Sequence, residues 1–307
     1  MGYNCVVCVK QVPDTKRVTG EAMKEDGTVN RAALPAIFNP EDLNALEEAL
    51  AVRDAHGGTV TVVSMGAPSV SEVLRDCLYR GADRCVLITD RKAAASDTLA
   101  TSYILSRAVR KLQPDIVFCG RQAIDGDTAQ VGPQLAEKLG FTLITYAEAP
   151  VSLDGDTIRA RRNVGNGWEA VSARLPALVT VTESANVPRP PAARKVMKYK
   201  KAKTRAEVEQ MADHLLEGDF ENYTAELKAV EVDKHCRKLA DKGLMMDQWA
   251  LADLQADLDW CGMAGSPTKV HRIQSVVLKG GKYRQIPPTE EGICGLVREL
   301  VSDHTLG

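Results

Sequence analysis

Aromatic residues are scarce in this chain, at 5% of 307 positions, so any core it builds is mainly aliphatic. Neither sign of charge dominates: 39 basic and 41 acidic residues leave a net charge of −2. That balance argues against wholesale electrostatic attachment to nucleic acid or to an anionic membrane. No apolar run approaches the roughly 20 residues that span a bilayer. The segment from Met1 to Lys10 has no basic stretch ahead of its short apolar run, so it reads as a first strand and not as a secretory leader. Val6 stands where myristoylation of Gly2 prefers Ser or Thr. The eight cysteines are scattered, and without a leader they are expected as reduced thiols in a cytoplasmic protein. Cys5 and Cys8 have the spacing of thiol oxidoreductases, but that chemistry needs a helix N-terminus to lower a thiol pKa. In a strand, residues three apart face opposite sides, and both are expected in the core. His235, Cys236 and Cys261 do not tighten into a zinc pattern. No Gly-x-Gly-x-x-Gly follows the first strand and no Gly-Lys-Ser/Thr loop exists, so the dehydrogenase and P-loop fingerprints are missing.

What is present is an alternation. Val6–Val9 is apolar and β-branched. Asn39 is placed to cap a helix with Pro40 first, Glu41 and Asp42 in the first turn, Leu43, Leu46, Ala49 and Leu50 on one face, and Gly57 as the stop. Thr59–Met65 reads as a second strand. Ser69 and Glu72 form a capping-box pattern ahead of Val70, Val73, Leu74, Cys77 and Leu78. Cys85–Ile88 is a third strand, Asp97–Leu112 a third helix with Leu99, Tyr103 and Ala108 inward, Ile116–Cys119 a fourth strand, and Gln130–Leu139 a fourth helix. Strands apolar throughout and joined by helices imply an α/β fold: a parallel sheet with helices on both faces. Thr157–Asn163 and Trp168–Arg174 read as a β-hairpin, and Ala177–Glu183 as a strand closing the main domain. This gives residues 1–185 as the α/β domain and 186–307 as a basic stretch followed by a mainly helical C-terminal arm. Residues 204–260 look too polar to bury a core of their own, so the arm is expected to pack on another chain. Ile293, Leu296, Val297 and Leu300 mark one face of a last helix over 289–301.

The stretch from Gly120 to Pro133 carries the most chemistry. It leaves the fourth strand and enters a helix, where free backbone amides and the positive helix end attract an anion such as phosphate. Gly120, Gly126 and Gly132 allow tight turns and close approach. Asp127 and Thr128 are candidate caps, Gln130 a donor to phosphate or base, and Asp125 an acceptor for ribose hydroxyls. A merely capped strand–helix loop fits the composition equally well.

The order of motifs separates the two. Cys8-Val9-Lys10-Gln11-Val12-Pro13-Asp14-Thr15, Asn39-Pro40-Glu41-Asp42, Gly81-Ala82-Asp83 and the 122–133 loop together resemble β subunits of electron-transfer flavoproteins, over residues 3–205. The ending from Glu290 to Thr305 is similar to longer members. The resemblance implies an adenine-nucleotide α-hydrolase-like fold, shared with universal stress proteins, and a heterodimer whose α subunit carries a mobile FAD domain. It also implies nucleotide contacts at Cys8, Asn39, Pro40, Asp42, Met65, Gln122, Ala123, Ile124, Asp125, Gly126, Asp127, Thr128, Ala129, Gln130, Val131, Gly132 and Pro133. Lys10, Asp14 and Thr15 are candidates beside a flavin ring.

The nucleotide is FAD in the electron-bifurcating and nitrogen-fixation-associated branch and structural AMP in simpler members. Gln11–Thr15, Ser96–Ser102 and Asp125–Pro133 resemble the former, which makes FAD the first expectation and AMP the alternative. In that branch NADH gives a hydride to the flavin. One electron then passes to the α-subunit FAD and a high-potential acceptor (acyl-CoA dehydrogenase-like or quinone-reductase-like), the other to ferredoxin or flavodoxin. No catalytic acid, base or nucleophile is required of this chain. The basic stretch falls where family members dock on acyl-CoA dehydrogenases through an inserted Leu, and Arg189, Ala193, Arg194, Lys195, Met197 and Lys198 are the docking candidates. Ala193 stands in place of that Leu, and Arg194 where Pro is frequent, which removes the apolar anchor. A stand-alone adenine-nucleotide binder resembling universal stress proteins is the reading from another class.

Overall fold

The computed structural model describes residues 2–14, 35–216, 225–268 and 285–302. Its frame is one sheet built outward from β1 (Tyr3–Cys8). A small antiparallel pair follows, β2 (Gln11–Pro13) and β3 (Ala36–Phe38). Then come α1 (Pro40–His56), β4 (Gly58–Met65), α2 (Ser71–Arg80), β5 (Arg84–Ile88), α3 (Thr98–Leu112), β6 (Ile116–Gly120), α4 (Val131–Leu139) and β7 (Thr142–Ala147). The antiparallel strands β8 (Ser152–Asp154), β9 (Thr157–Asn163) and β10 (Trp168–Arg174) precede β11 (Ala177–Val181). Beyond it lie α5 (Ala193–Tyr199), α6 (Arg205–Leu216), α7 (Ala225–Ala240), β12 (Asp247–Trp249) and α8 (Glu290–Ser302).

The sheet runs β10-β9-β7-β11-β6-β1-β4-β5-β12, parallel from β7 to β12. Both faces are covered, which is why the strands are apolar at successive positions. Cys5 and Val7 pack with Leu46, Leu50 and Leu74 of α1 and α2. Val6 and Cys8 pack on the other face with Ile104, Leu105, Val109 and Leu135 of α3 and α4. Cys5 and Cys8 therefore do point to opposite sides, and burial, the largest influence, pushes the Cys5 thiol up to about 12. The connections from β1 reach β4 and β5 on one side, and the chain then returns to β6 on the other. That reversal places a crevice beyond the carboxyl ends of β1 and β6.

The helix ends depart from local expectation. Asn39 precedes α1 but makes no side-chain cap. Pro68–Val70 is a short 3-10 turn, α2 starts at Ser71, and the Ser69–Glu72 box is not formed. In α3, Leu99 is only half-buried, and Ile104, Leu105 and Val109 carry the packing that Leu99 was expected to share. The strand β11 is inserted between β7 and β6.

The C-terminal region is seated partly on the chain itself. Val208, Val232 and Leu239 join α6 to α7 in a small cluster, so this polar-looking stretch does bury an apolar contact. The three-residue β12 adds a parallel strand beside β5, and Trp249, Leu251, Leu254 and Cys261 complete the core on the α3 face. Helix α8 matches the last periodic segment, buries no residue and exposes Ile293, Val297 and Val301. No described helix is long and apolar enough to cross a membrane.

Candidate functional site

The first turn of α1 is buried although it is polar. Asn39, Glu41 and Asp42 are respectively 0%, 7% and 6% exposed, and between them their side chains hold backbone at or just beyond the ends of β1 and β6. The Asp42 carboxylate accepts from the Lys10 amide at 2.8 Å and the Gly120 amide at 3.1 Å, which ties the two strand ends together. Glu41 accepts from the Gln122 amide at 2.9 Å and pairs with Arg121 at 3.0 Å. The Asn39 side chain donates to the Gln122 carbonyl at 2.9 Å and accepts from the Ile124 amide at 3.1 Å. Buried polar groups persist when they are satisfied in this way, and these three convert a helix start into a clamp on the loop after β6. Gly120 is required by the same closeness: a Cβ there would lie 2.3 Å from an Asp42 carboxylate oxygen. Burial dominates the Asp42 carboxyl and pushes its pKa up to about 7, with the hydrogen bonds from Asn39, Lys10 and Gly120 opposing.

This clamp borders a cavity of about 460 Å³, inside the range of about 300–1,000 Å³ typical of small-molecule sites. Its floor is apolar, from Cys8, Val9, Met65, Leu105, Cys119 and Val131, and its walls are the loop residues 93–98, 120–123 and 126–130. Cys8 and Cys119 face each other across β1 and β6. Their hydrogen bond, together with burial, holds the Cys119 thiol well above its usual pKa, so Cys119 acts as neutral surface and not as a nucleophile. The floor can take a planar base, and the rim offers polar groups and backbone amides for an anion.

The rim is shaped by backbone as much as by side chains. Asp127 and Ala129 adopt left-handed φ of +47° and +51°, a conformation that non-glycine residues adopt at a cost of about 1–3 kcal/mol. Asp127 and Thr128 do not cap α4: its N-cap is Gln130, with no side-chain bond to the helix. The first-turn amides of α4 thus remain without a side-chain cap beside the cavity. Gln130 instead accepts from the Thr98 hydroxyl at 2.8 Å, and Gln122 donates to Asp127 at 3.1 Å. At the mouth, Lys10 pairs with Asp125 at 2.7 Å. Asp97 caps α3 by accepting from the Ala100 amide at 3.0 Å. Burial opposes its ionisation, yet amide bonds from Ala100, Thr268 and Leu99 hold its pKa below the usual range.

Of the residues singled out from sequence, Cys8, Lys10, Asp42, Met65, Gln122, Ala123, Gly126, Asp127, Thr128, Ala129, Gln130, Val131 and Gly132 line this cavity. Asn39 lies behind the loop it clamps, Asp125 acts on Lys10, and Pro40, Ile124 and Pro133 are outside the lining. Asp14 is buried at the end of the β2–β3 pair, and Thr15 lies outside the described residues. Sequence reasoning gave no site role to Arg121, to Gly66 or to Ala93–Ala95, all of which line the cavity. Their local signal is slight, because a strand-following glycine or an alanine run is common in any loop. The basic region is placed on α5, packed against α2. Arg189, just before it, is committed to Glu47 at 2.8 Å and Asp54 at 2.8 Å. Ala193, Arg194, Met197 and Lys198 are exposed and Lys195 half-buried.

Residues 26–214 match the family profile described as the electron transfer flavoprotein domain. Over 98% of this chain and 99% of its own length, the electron transfer flavoprotein subunit beta of Clostridium acetobutylicum is 39% identical. Protein FixA of Sinorhizobium fredii is 36% identical over 97% of the chain and 92% of its length. The acryloyl-CoA reductase electron transfer subunit gamma of Anaerotignum propionicum is 37% identical over 98% of both. With near full-length similarity of this kind, and with the parallel sheet and crevice in place, the chain belongs to the electron transfer flavoprotein family, on its β-subunit and FixA side.

Proposed function

We propose that this chain is the β subunit of a heterodimeric electron-transfer flavoprotein and holds an adenine nucleotide in the crevice beyond β1 and β6. FAD is the preferred occupant and AMP the alternative. The observation that carries the reading is the pairing of an apolar floor with a rim of backbone amides at the switch point of the sheet. The residues present fit a nucleotide: the space at Gly126 is open, with nothing within 4 Å of an added Cβ, and α4 begins without a side-chain cap. Cys8, Met65, Leu105 and Cys119 would hold the base, and the 122–130 loop with the start of α4 would hold the phosphate group or groups. Lys10 would stand at the mouth, where it neutralises anionic charge once released from Asp125.

Bound FAD would supply hydride acceptance from NADH and release of electrons one at a time. The protein's own share is orientation and exclusion of water, through the Asn39–Glu41–Asp42 clamp and the apolar floor. The high-potential electron would go to the α-subunit FAD and on to an acyl-CoA dehydrogenase-like or quinone-reductase-like acceptor, the other to ferredoxin or flavodoxin. The exposed face of α5, with Arg194, Lys198 and Met197, would steer and seat an acidic acceptor. The region 186–307 would complete the α-subunit interface, with the apolar face of α8 as one contact. Anaerobic addition of NADH to the purified heterodimer tests the bifurcating part. Rapid flavin bleaching supports it, whereas flavins that stay oxidised under excess NADH and bleach with a reduced acyl-CoA dehydrogenase support the AMP-type shuttle.

A further inference from the structure

Residues 261–268 sit outside the cavity, yet they are wired to its wall. Ser266 is 4% exposed. Its hydroxyl accepts from the Asp97 amide at 2.8 Å and donates to the Gly262 carbonyl at 2.6 Å, with the Ala95 carbonyl at 3.4 Å. The Gly262 amide donates to the Ser96 hydroxyl at 3.1 Å, which in turn donates to the Ala93 carbonyl at 2.8 Å. The Thr268 amide donates to the second Asp97 carboxylate oxygen at 3.0 Å. The approach is backbone to backbone: a Cβ on Gly262, whose φ is +56°, would fall 2.1 Å from the Lys92 carbonyl oxygen. Neighbouring Cys261 anchors the segment in the core.

The gripped loop is the one whose shape needs holding. Ala95 has a left-handed φ of +59°, which a non-glycine residue keeps only when its surroundings over-determine it. Ala93–Thr98 and Thr101 line the cavity, and Asp97 passes the grip on to the first turn of α3 through the Ala100 amide. None of Gly262, Ser266 and Thr268 lines the cavity itself.

We propose that Ser266 is a positioning residue for the nucleotide site: through it the 261–268 segment holds the Ala93–Thr98 wall in its binding shape, so that nucleotide affinity depends on this clasp. The proposal rests on the reading of the cavity as a nucleotide site. By linkage, a ligand that favours the clasped wall must also favour the clasp, and the coupling is equal in both directions. A segment that merely ties down the chain has no such reciprocity.

The test uses the full-length protein freed of bound nucleotide, with AMP and FAD as separate probes. Ser266→Ala is expected to weaken binding by about tenfold or more, to raise amide exchange across 94–101, and to move the melting temperature by only a few degrees. Ser266→Thr, which keeps the hydroxyl, is expected to return most of the affinity. In the unsubstituted protein, AMP or FAD is expected to slow exchange at the Gly262 and Thr268 amides, and Ser266→Ala to abolish that slowing. Should Ser266→Ala fail to fold, Thr268→Pro removes the exposed amide that Asp97 accepts and is expected to weaken binding in the same direction. Unchanged affinity in whichever of these two variants folds, or no nucleotide effect at Gly262 and Thr268, overturns the clasp alone. An unsubstituted protein that binds neither AMP nor FAD overturns the nucleotide reading and this proposal with it.

Discussion

Replacing Asn39 by alanine removes both side-chain bonds that hold the loop after β6, to the Gln122 carbonyl and from the Ile124 amide. A buried group left without its partner costs about 1–3 kcal/mol. Gln122 and Ile124 are themselves only half-buried, so water can re-solvate the freed groups and the cost falls toward the lower end. With two groups freed, each near the lower end, the expected loss is about 2–3 kcal/mol, which a domain stable by about 5–15 kcal/mol survives. Urea unfolding should show it as a midpoint lowered by about 1 M. Binding has to rebuild the loop, so nucleotide affinity measured by equilibrium dialysis should fall by at least about tenfold, or 1.4 kcal/mol. Asn39→Asp sharpens the test. It keeps the acceptor for Ile124 but sets a second carboxylate oxygen against the Gln122 carbonyl, beside the carboxylates of Glu41 and Asp42. Burial of that charge costs more than truncation, so the isosteric variant should be the worse of the two. An aspartate variant that binds and unfolds like the unsubstituted protein would refute the clamp.

Further outcomes follow from the same geometry. The raised Asp42 pKa means that the folded state binds more protons than the unfolded state between about pH 4 and 7, so stability should fall as pH rises through that window. A shift to about 7 corresponds to roughly 4 kcal/mol, and Glu48, raised chiefly by burial, slopes the same way. Urea melts at intervals across the window should show the decline, and a flat or rising profile contradicts the burial of these carboxyls. Gly120→Ala should destabilise the fold, because its Cβ would meet Asp42 and Glu41. Gly126→Ala, with open space, should leave the melting temperature unchanged and weaken only the nucleotide. Thiol labelling of the native protein should mark Cys294 first, since Cys5, Cys77 and Cys85 are buried with raised pKa values. Rapid labelling of Cys85 would mean that the sheet is not closed as described.

Most of the parallel frame was legible because β1, β4, β5, β6 and β11 are largely apolar or β-branched and helices with one apolar face join them. The hairpin over 157–174 was legible because the strand patterns flank a Gly-rich turn. The strand β7 was missed, since Thr142–Ala147 is half-exposed and follows a helix stop without an apolar run. The three-residue β12 was missed because its pairing with β5 depends on a chain segment more than 150 positions away. The site shows the same division. The loop at 120–133 was visible as a strand–helix junction. The roles of Asn39, Glu41 and Asp42 were not, because a polar residue at a helix start looks like a cap whether it bonds its own helix or a distant loop. Their partners lie about 80 residues away, a separation that no local pattern encodes.

The most direct measurement is to co-express the chain with its α-subunit partner, denature the purified complex and quantify the released FAD and AMP. Two FAD and no AMP per heterodimer is the result expected if the crevice beyond β1 and β6 is a flavin site. One FAD and one AMP would contradict it and leave a simple electron shuttle whose β-subunit nucleotide is structural.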